Sequence, residues 1–372
     1  MKKTIKVRQH NTGDLSIVLL VAVLTIFGTL MIFSASYYYS ISQYDDPYHY
    51  LTRQLVWLAA GTVGMWVCSK IDYHFWARLW LPAFLVGLIL LVLVLTPLGA
   101  SAYGATRWIQ VGPITIMPGE ISKVCMILFI TGFFSRYPKR VTEIKRGILP
   151  VVIATGLYGG LIMLQPNMST AFTVCFIVGG MLLVAGAKWL HLFSLAGAAV
   201  AAAAAFIFTD TTGYRYKRFL SFLDPFEDPL DTGWNVVQSL LALGTGGLTG
   251  RGLGNSIQKN LYLPMPQNDF ILAIIGEELG FVGIFALAMV YLLLIWRGCH
   301  VAINAKDLTG LLLASGITIM VGVQVIINIA VVTSSMPPTG IILPFVSYGG
   351  NALLLFMGAM GILLNISKSS DF

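Results

Sequence analysis

Long uninterrupted apolar runs, each closed by a short polar or aromatic segment, alternate along almost the whole chain. Runs of about 17–27 residues predict membrane-spanning α-helices. A helix satisfies every backbone polar group within its own segment, and about 20 residues cross a hydrocarbon layer of ~30 Å. The pattern places spans at about 16–36, 52–69, 79–98, 119–135, 148–164, 170–187, 189–209, 270–296, 310–333 and 343–365. The strict alternation of a transmembrane β-barrel is absent. The expectation is an all-α integral membrane protein, a single polytopic domain over 1–372. It has about ten helices and one long extracytoplasmic loop, about 210–269, between the seventh and eighth.

Composition agrees: 57% of residues are hydrophobic and 10% charged, with mean hydropathy +0.81, against about a quarter charged in soluble domains. The net charge of +7 does not signal nucleic acid, because the basic residues form no stripe and mark topology instead. Lys2, Lys3, Lys6, Arg8, Lys70, Arg78, Arg136, Lys139, Arg140, Lys145, Arg146, Lys188, Arg297, Lys306 and Lys368 all fall on the side that holds both termini. That side is expected to be the cytoplasm of a bacterial cell, and the location its inner membrane. Aromatics stand where an interfacial belt belongs, Tyr37–Tyr39 at an outer end and Trp76, Trp80, Trp189 and Trp296 at inner ends. The basic N-terminus followed by an apolar run resembles a signal peptide, but the run is too long for one and reads as an uncleaved first span. Four cysteines without CxxC spacing, and five histidines without HExxH spacing, support neither a disulfide scaffold nor a zinc site.

A loop as long as 210–269 is functional or disordered. Its aromatics, glycines and prolines, with an amphipathic stretch Trp234–Leu243 that could lie in the interface, argue for order. A second outer loop, about 97–119, carries Arg107, Trp108 and Gln110.

Several residues could carry chemistry. The run Gly244–Gly254 fits neither GxGxxG nor a Walker A pattern. It is either a tight turn packed near the membrane or a backbone that approaches a pyrophosphate closely. Asp269, where the long loop enters the eighth span, could cap the helix or act as a general base at the water–lipid boundary; the pattern by itself favours the cap. Glu120 and Lys123 stand three apart at the start of the fourth span and can pair there, as a functional site or as a salt bridge between helices. Glu277 and Glu278 would lie about 12 Å deeper than Asp269 on a continuous helix and would seal a polar cavity or hold loops. Arg215, Lys217, Arg218, Arg251 and Lys259 in the long loop, and Arg107 in the other, could face solvent or anionic head groups, or grip phosphate.

Ordered blocks across almost the whole chain resemble the SEDS family, the FtsW/RodA/SpoVE proteins of cell-wall synthesis. They are Gly104–Ile109, Pro118–Lys123, Gln165–Pro166, Phe222–Pro225, Gln238–Leu240, Gly250–Lys259, Asp269–Ile271, Gly276–Gly280, Pro338–Ile341 and Leu343–Gly350. Their order is closer to the FtsW/SpoVE branch than to RodA. The chain departs from the family pattern at Met117–Glu120, at Asn167, where an acidic residue is common, and at Pro264–Asn268, where a glutamate and a histidine are missing.

The resemblance implies a peptidoglycan glycosyltransferase that polymerises lipid II into glycan strands and releases undecaprenyl pyrophosphate. It implies Asp269 as the base and, as substrate contacts, Arg107, Trp108, Arg215, Arg218, Arg251, Gln258 and Lys259. No motif requires a cofactor, although a divalent cation, Mg²⁺ or Mn²⁺, could share the phosphate charge. The expected partners are a class B penicillin-binding protein that crosslinks the strands, other divisome or elongasome proteins, and membrane lipids. Two other readings stand beside this one: a lipid II flippase, with Glu120, Lys123, Glu277 and Glu278 along its path, and a noncatalytic divisome scaffold.

Overall fold

The computed structural model describes residues 13–102, 105–112, 114–208, 222–229 and 233–369. Its helices follow the apolar runs: α1 Leu15–Tyr44, α2 His49–Cys68, α3 Tyr73–Arg78, α4 Trp80–Val94, α5 Pro118–Arg136, α6 Leu149–Leu164, α7 Met168–Ala185 and α8 Trp189–Phe208. After the long connection come α9 Trp234–Gly246, α10 Ile271–Ile303, α11 Leu308–Val332 and α12 Gly350–Ser369. Among the described residues seven helical stretches are long and apolar enough to cross a membrane, and α4 and the start of α8 are shorter apolar helices. The protein is a multi-pass membrane protein.

The ends of the helices are set by local chemistry. Asp14, Asn167 and Asp307 accept first-turn amides of α1, α7 and α11, and Pro118 opens α5 where its missing N–H costs nothing. Packing follows the rule for helices in lipid, where small residues let backbones close up. Gly61 receives the Met357 side chain and Gly361 lies against the Met65 carbonyl, which brings α2 onto α12. Gly28 lets α1 press against the Phe345–Val346 backbone. α5 and α11 are the most enclosed, with 78% of each apolar window buried, so they form the centre of the bundle.

The last helix starts at Gly350, seven residues later than the expected 343, because 343–349 form turns ahead of it, and two further features differ from the sequence expectation. The loop at 97–119 carries an antiparallel sheet of β1 Gly99–Ala102, β2 Ala105–Val111 and β3 Ile114–Ile116 in the order β1-β2-β3. Its strands are too short and too small-residue-rich to stand out beside apolar spans. The second difference is in α10, whose backbone breaks at Gly280 (φ 68°, ψ −167°). Residues 271–278 are buried in protein, whereas Phe281, Val282 and Phe285 open the outward-facing apolar surface. The lipid-facing apolar stretch of α10 therefore begins at the break, later than the expected 270.

Side-chain pairs mark the depth of the bundle. At the end holding both termini, Arg297 Nη2 meets Asp14 Oδ2 at 2.5 Å, and the Asp14 N–H donates to Ser367 Oγ. At the other end Glu278 accepts from Ser34 Oγ at 2.7 and 2.9 Å and from Lys259 Nζ at 2.8 Å. Helical rise along α1 from Asp14 to Ser34 is about 30 Å, one hydrocarbon thickness. Glu277 and Glu278 thus sit at the end of the bundle away from the termini, on the segment Ile271–Leu279 that the break at Gly280 separates from the rest of α10.

Candidate functional site

Asp269 stands just ahead of Phe270, the N-cap of α10, and no side chain caps this helix, so the capping role open to Asp269 in the sequence is not realised. Asn328 of α11 holds its main chain: Nδ2 donates to the Asp269 carbonyl at 2.9 Å and to the Ile341 carbonyl at 2.7 Å. The rise from Asp307 to Asn328 is about 31 Å, so Asp269, like Glu278, lies at the end of the bundle away from the termini.

The Asp269 carboxylate and the Arg107 guanidinium converge on Gly340. A Cβ at that glycine would lie 3.2 Å from Asp269 Oδ2 and 3.7 Å from Arg107 Nη1. β2 delivers Arg107 here, and its Nη2 donates to the Pro166 carbonyl in the α6–α7 turn. The sheet is tied down further by Asn351 Nδ2, which donates to the Thr115 carbonyl. Strand alternation turns Trp108, half-buried, to the opposite face from Arg107.

Below Asp269, Lys123 Nζ donates to Glu120 Oε1 at 2.7 Å and to Gln324 Oε1 at 3.0 Å, all within the bundle. Glu120 is 9% exposed and Lys123 1%, so this pair is closed on itself and on Gln324 and lines no open path. Gln324 and Asn328 lie one turn apart on α11, so a polar ladder climbs from the ion pair to Asp269. Sequence reasoning passed over both, although two amides four apart in an apolar span are an available signal, since polar groups in lipid are rarely incidental. Gly340 was read only as part of a family block.

The other candidate cations divide. Arg215, Lys217 and Arg218 lie outside the described residues. Lys259, 3% exposed, is committed to Glu278 and Ser34, so it is not among the groups facing Asp269. Gln258 is buried beside it, its N–H donating to Glu277 Oε2 at 3.2 Å. Glu277 also accepts from Ser256 Oγ at 2.5 Å and the Ile257 N–H at 2.9 Å. The two glutamates are thus loop holders, one of the two roles expected for them.

The Gly-rich run is explained by the same contact. The Arg251 and Gly252 N–H groups donate to the Glu277 and Glu278 carbonyls at 2.9 and 3.0 Å, and the Phe281 and Val282 N–H groups donate to Gly247 and Leu248. These are the carbonyls and amides that the break in α10 releases, and Gly247, Leu248, Arg251 and Gly252 pair them through their main chain. Any side chain at Gly250 (φ 78°) would meet the Glu278 carbonyl. The glycines are needed where backbone packs on backbone, the first of the two expected roles, and the Arg251 side chain is left exposed on this turn. α9, the expected amphipathic stretch, packs on α10 and α11, with Ser239 Oγ donating to the Val332 carbonyl at 2.8 Å. Among the described residues no three His, Cys, Asp or Glu gather as a metal-binding group.

A carboxylate beside a guanidinium, at the depth where lipid gives way to water, can accept a proton from a hydroxyl while the cation faces an anionic leaving group. Residues 14–371 match the family model for the FtsW, RodA and SpoVE cell cycle proteins. The chain is 40% identical to stage V sporulation protein E of Bacillus subtilis over 366 residues, 98% of this chain and 99% of that one. It is 38% identical to the probable peptidoglycan glycosyltransferase FtsW of Geobacter sp. strain M18, covering 95% and 96%. Among solved structures, a chain from a peptidoglycan synthase complex that coordinates polymerisation and crosslinking superposes with TM-score 0.79 at 28% identity, covering 95% and 97%. The rod shape determining protein RodA of Thermus thermophilus gives 0.69 at 26%, covering 97% and 98%.

Proposed function

The chain belongs to the FtsW/RodA/SpoVE family and is a peptidoglycan glycosyltransferase, and from that premise we propose that it polymerises lipid II with Asp269 as general base. The observation that carries the assignment is the convergence of the Asp269 carboxylate and the Arg107 guanidinium on Gly340. Asp269 takes the proton of the acceptor sugar's hydroxyl as its oxygen attacks the anomeric carbon of the donor. The new glycosidic C–O bond replaces the bond to phosphate, and undecaprenyl pyrophosphate leaves with the electron pair. Arg107 offsets the charge that develops on the leaving pyrophosphate, and Arg251, farther along the outer boundary, meets the lipid-linked phosphates as they arrive. A lipid-bound donor requires this machinery at the membrane surface, which the helical rulers support. A divalent cation, Mg²⁺ or Mn²⁺, could share the phosphate load.

In this reading the termini face the cytoplasm, the site lies on the outer face of the inner membrane, and the partner is a class B penicillin-binding protein whose transpeptidase crosslinks the product. The relative solved within a complex that polymerises and crosslinks supports the last point.

Asp269→Asn is the informative substitution, because Asn keeps the size of Asp and its side-chain carbonyl oxygen but cannot act as a proton acceptor. Polymer formation from labelled lipid II in detergent, with the partner supplied, is expected to fall by ~10²–10⁴-fold, with thermal unfolding unchanged. A variant that retained a few tenths of the wild-type rate would remove Asp269 as the base. Detergent also removes flipping as an explanation of any product.

A further inference from the structure

We propose that Gln324 and Asn328, with one ordered water between their amides, are positioning residues that fix Asp269 and tie it to the buried Glu120–Lys123 pair. The inference rests on Asp269 being the base. Its starting point is that each amide has its orientation imposed from outside. Gln324 Oε1 must face the Lys123 ammonium, 3.0 Å away, and Asn328 Nδ2 must face the Asp269 and Ile341 carbonyls at 2.9 and 2.7 Å. What remains is one donor, Gln324 Nε2, and one acceptor, Asn328 Oδ1. Both are buried and neither has a protein partner among the described residues. The two residues are 0% and 1% exposed.

Buried polar groups are almost always satisfied, by ordered water where no protein group reaches. Residues four apart on a helix have Cβ atoms about 5–6 Å apart, a gap that one water fills by accepting from Nε2 and donating to Oδ1. The ladder is then continuous: Glu120, Lys123, Gln324, water, Asn328, and finally the Asp269 and Ile341 carbonyls. Because every amide in it has a fixed sense, the ammonium of Lys123 sets the direction in which Asn328 presents its NH₂ group. That group staples the residue ahead of α10 to Ile341, the neighbour of the Gly340 on which Asp269 and Arg107 converge. Removing it frees the carboxylate from two sides, and a misplacement of about 1 Å costs on the order of 10²-fold in rate.

Asn328→Asp keeps the shape and loses the donor. Gln324→Glu keeps the acceptor for Lys123 and loses Nε2, and Gln324→Met removes both at similar volume. With labelled lipid II and the transpeptidase partner, Asn328→Asp is expected to lower kcat per folded molecule by about 10–100-fold, and the Gln324 variants by about tenfold. KM is expected to stay within about twofold. The Gln324→Glu/Asn328→Asp double variant is expected to fall no further than Asn328→Asp, because both act through one link. A density map that resolves ordered solvent should place the water between the amides. Wild-type kcat in Gln324→Met, or additive losses in the double variant, would overturn the ladder. Activity lost only in proportion to folded protein would make these residues packing groups. If Asp269→Asn is inactive while the amide variants are normal, the ladder fails and the catalytic reading stands; an active Asp269→Asn removes the reading beneath it.

Discussion

Replacing Lys259 by methionine would strand Glu278 at the outer boundary of the bundle with a buried charge and only Ser34 to meet it. Lys259 is 3% exposed and Glu278 0%; their 2.8 Å contact is the one ion pair between the long loop and α10 among the described residues, and Lys259 Nζ also donates to Ser34 of α1 at 3.1 Å. Breaking such a pair by removing one partner costs about 3–5 kcal/mol, because the desolvation of the survivor is no longer offset. Adding Glu278→Gln removes the stranded charge, and its amide can still donate to or accept from Ser34, so the double variant is expected to regain most of that loss. The same cycle separates the two roles open to Lys259. If it is a latch, thermal stability in detergent and polymerisation from lipid II fall together in Lys259→Met and recover together in the double variant. If it grips phosphate, activity stays lost in the double variant although stability returns. Recovery of stability without activity would therefore refute the latch reading. A single variant that melts like wild type would show that the pair carries no net stabilisation.

Arg107→Ala is expected to slow polymerisation by about 10²-fold or more, the usual scale for losing a group that meets developing charge, while Arg251→Ala, on the exposed turn, acts more weakly and chiefly at limiting lipid II; equal rates for both variants and wild type would remove them from the site. In a background lacking the native cysteines, a cysteine at exposed Asn260 should react with an impermeant maleimide in intact cells, and labelling only after permeabilisation would invert the topology. At the termini-bearing end, His74 bridges Asp72 and Asp307 at 2.8 and 2.7 Å. Burial lowers its pKa, but the bonds to the two carboxylates outweigh that and raise it above the ordinary value of 6.5. The Asp72 carboxyl is held low, first by the His74 backbone N–H, with burial opposing. The clamp between α3 and α11 is therefore at full strength between the ordinary carboxylate and histidine values, and fades as pH rises through the raised value of folded His74. A Tm that declines from about pH 6 to 8 more steeply in wild type than in His74→Gln checks this, and parallel curves would refute it.

The helices were legible in the sequence because lipid imposes one strong rule, that backbone polar groups be satisfied within the segment. Tertiary packing did not have to be known for the apolar runs around α1, α5 and α12 to read as spans. The limits of α10 were not legible for the complementary reason. Ile271–Leu279 is as apolar as a span, but it is buried in protein, and hydropathy does not separate burial in protein from burial in lipid. The signal lay in Gly280 beside two acidic residues, and its meaning depended on a partner, the Gly244–Gly254 run, that hydrogen bonds across the break. Likewise a loop cation such as Lys259 looks available in sequence; only the placement of Glu278 and Ser34 decides that it is committed.

That break also accounts for where the chemistry sits. A continuous helix through Asp269 and Arg297 would be about 42 Å long, which would lift Asp269 well above a bilayer of ~30 Å, out of reach of a sugar whose pyrophosphate is anchored at the lipid surface. By breaking at Gly280, α10 takes Ile271–Leu279 off that line and returns Asp269 to the level of Asn328, where Arg107 from β2 and Gly340 meet it. The backbone groups released at the break must be paired; the main chain of Gly247, Leu248, Arg251 and Gly252 pairs them, and Gly250 between them allows the close approach. The Glu277 and Glu278 side chains then hold that loop in register through Ser256, Ile257, Gln258 and Lys259. Filling Gly250 with a side chain is accordingly expected to lower activity as severely as a change at the site itself, by lifting the loop from the break and letting α10 straighten. Gly250→Val with wild-type polymerisation and an unchanged melting profile would show that the break does not depend on the loop.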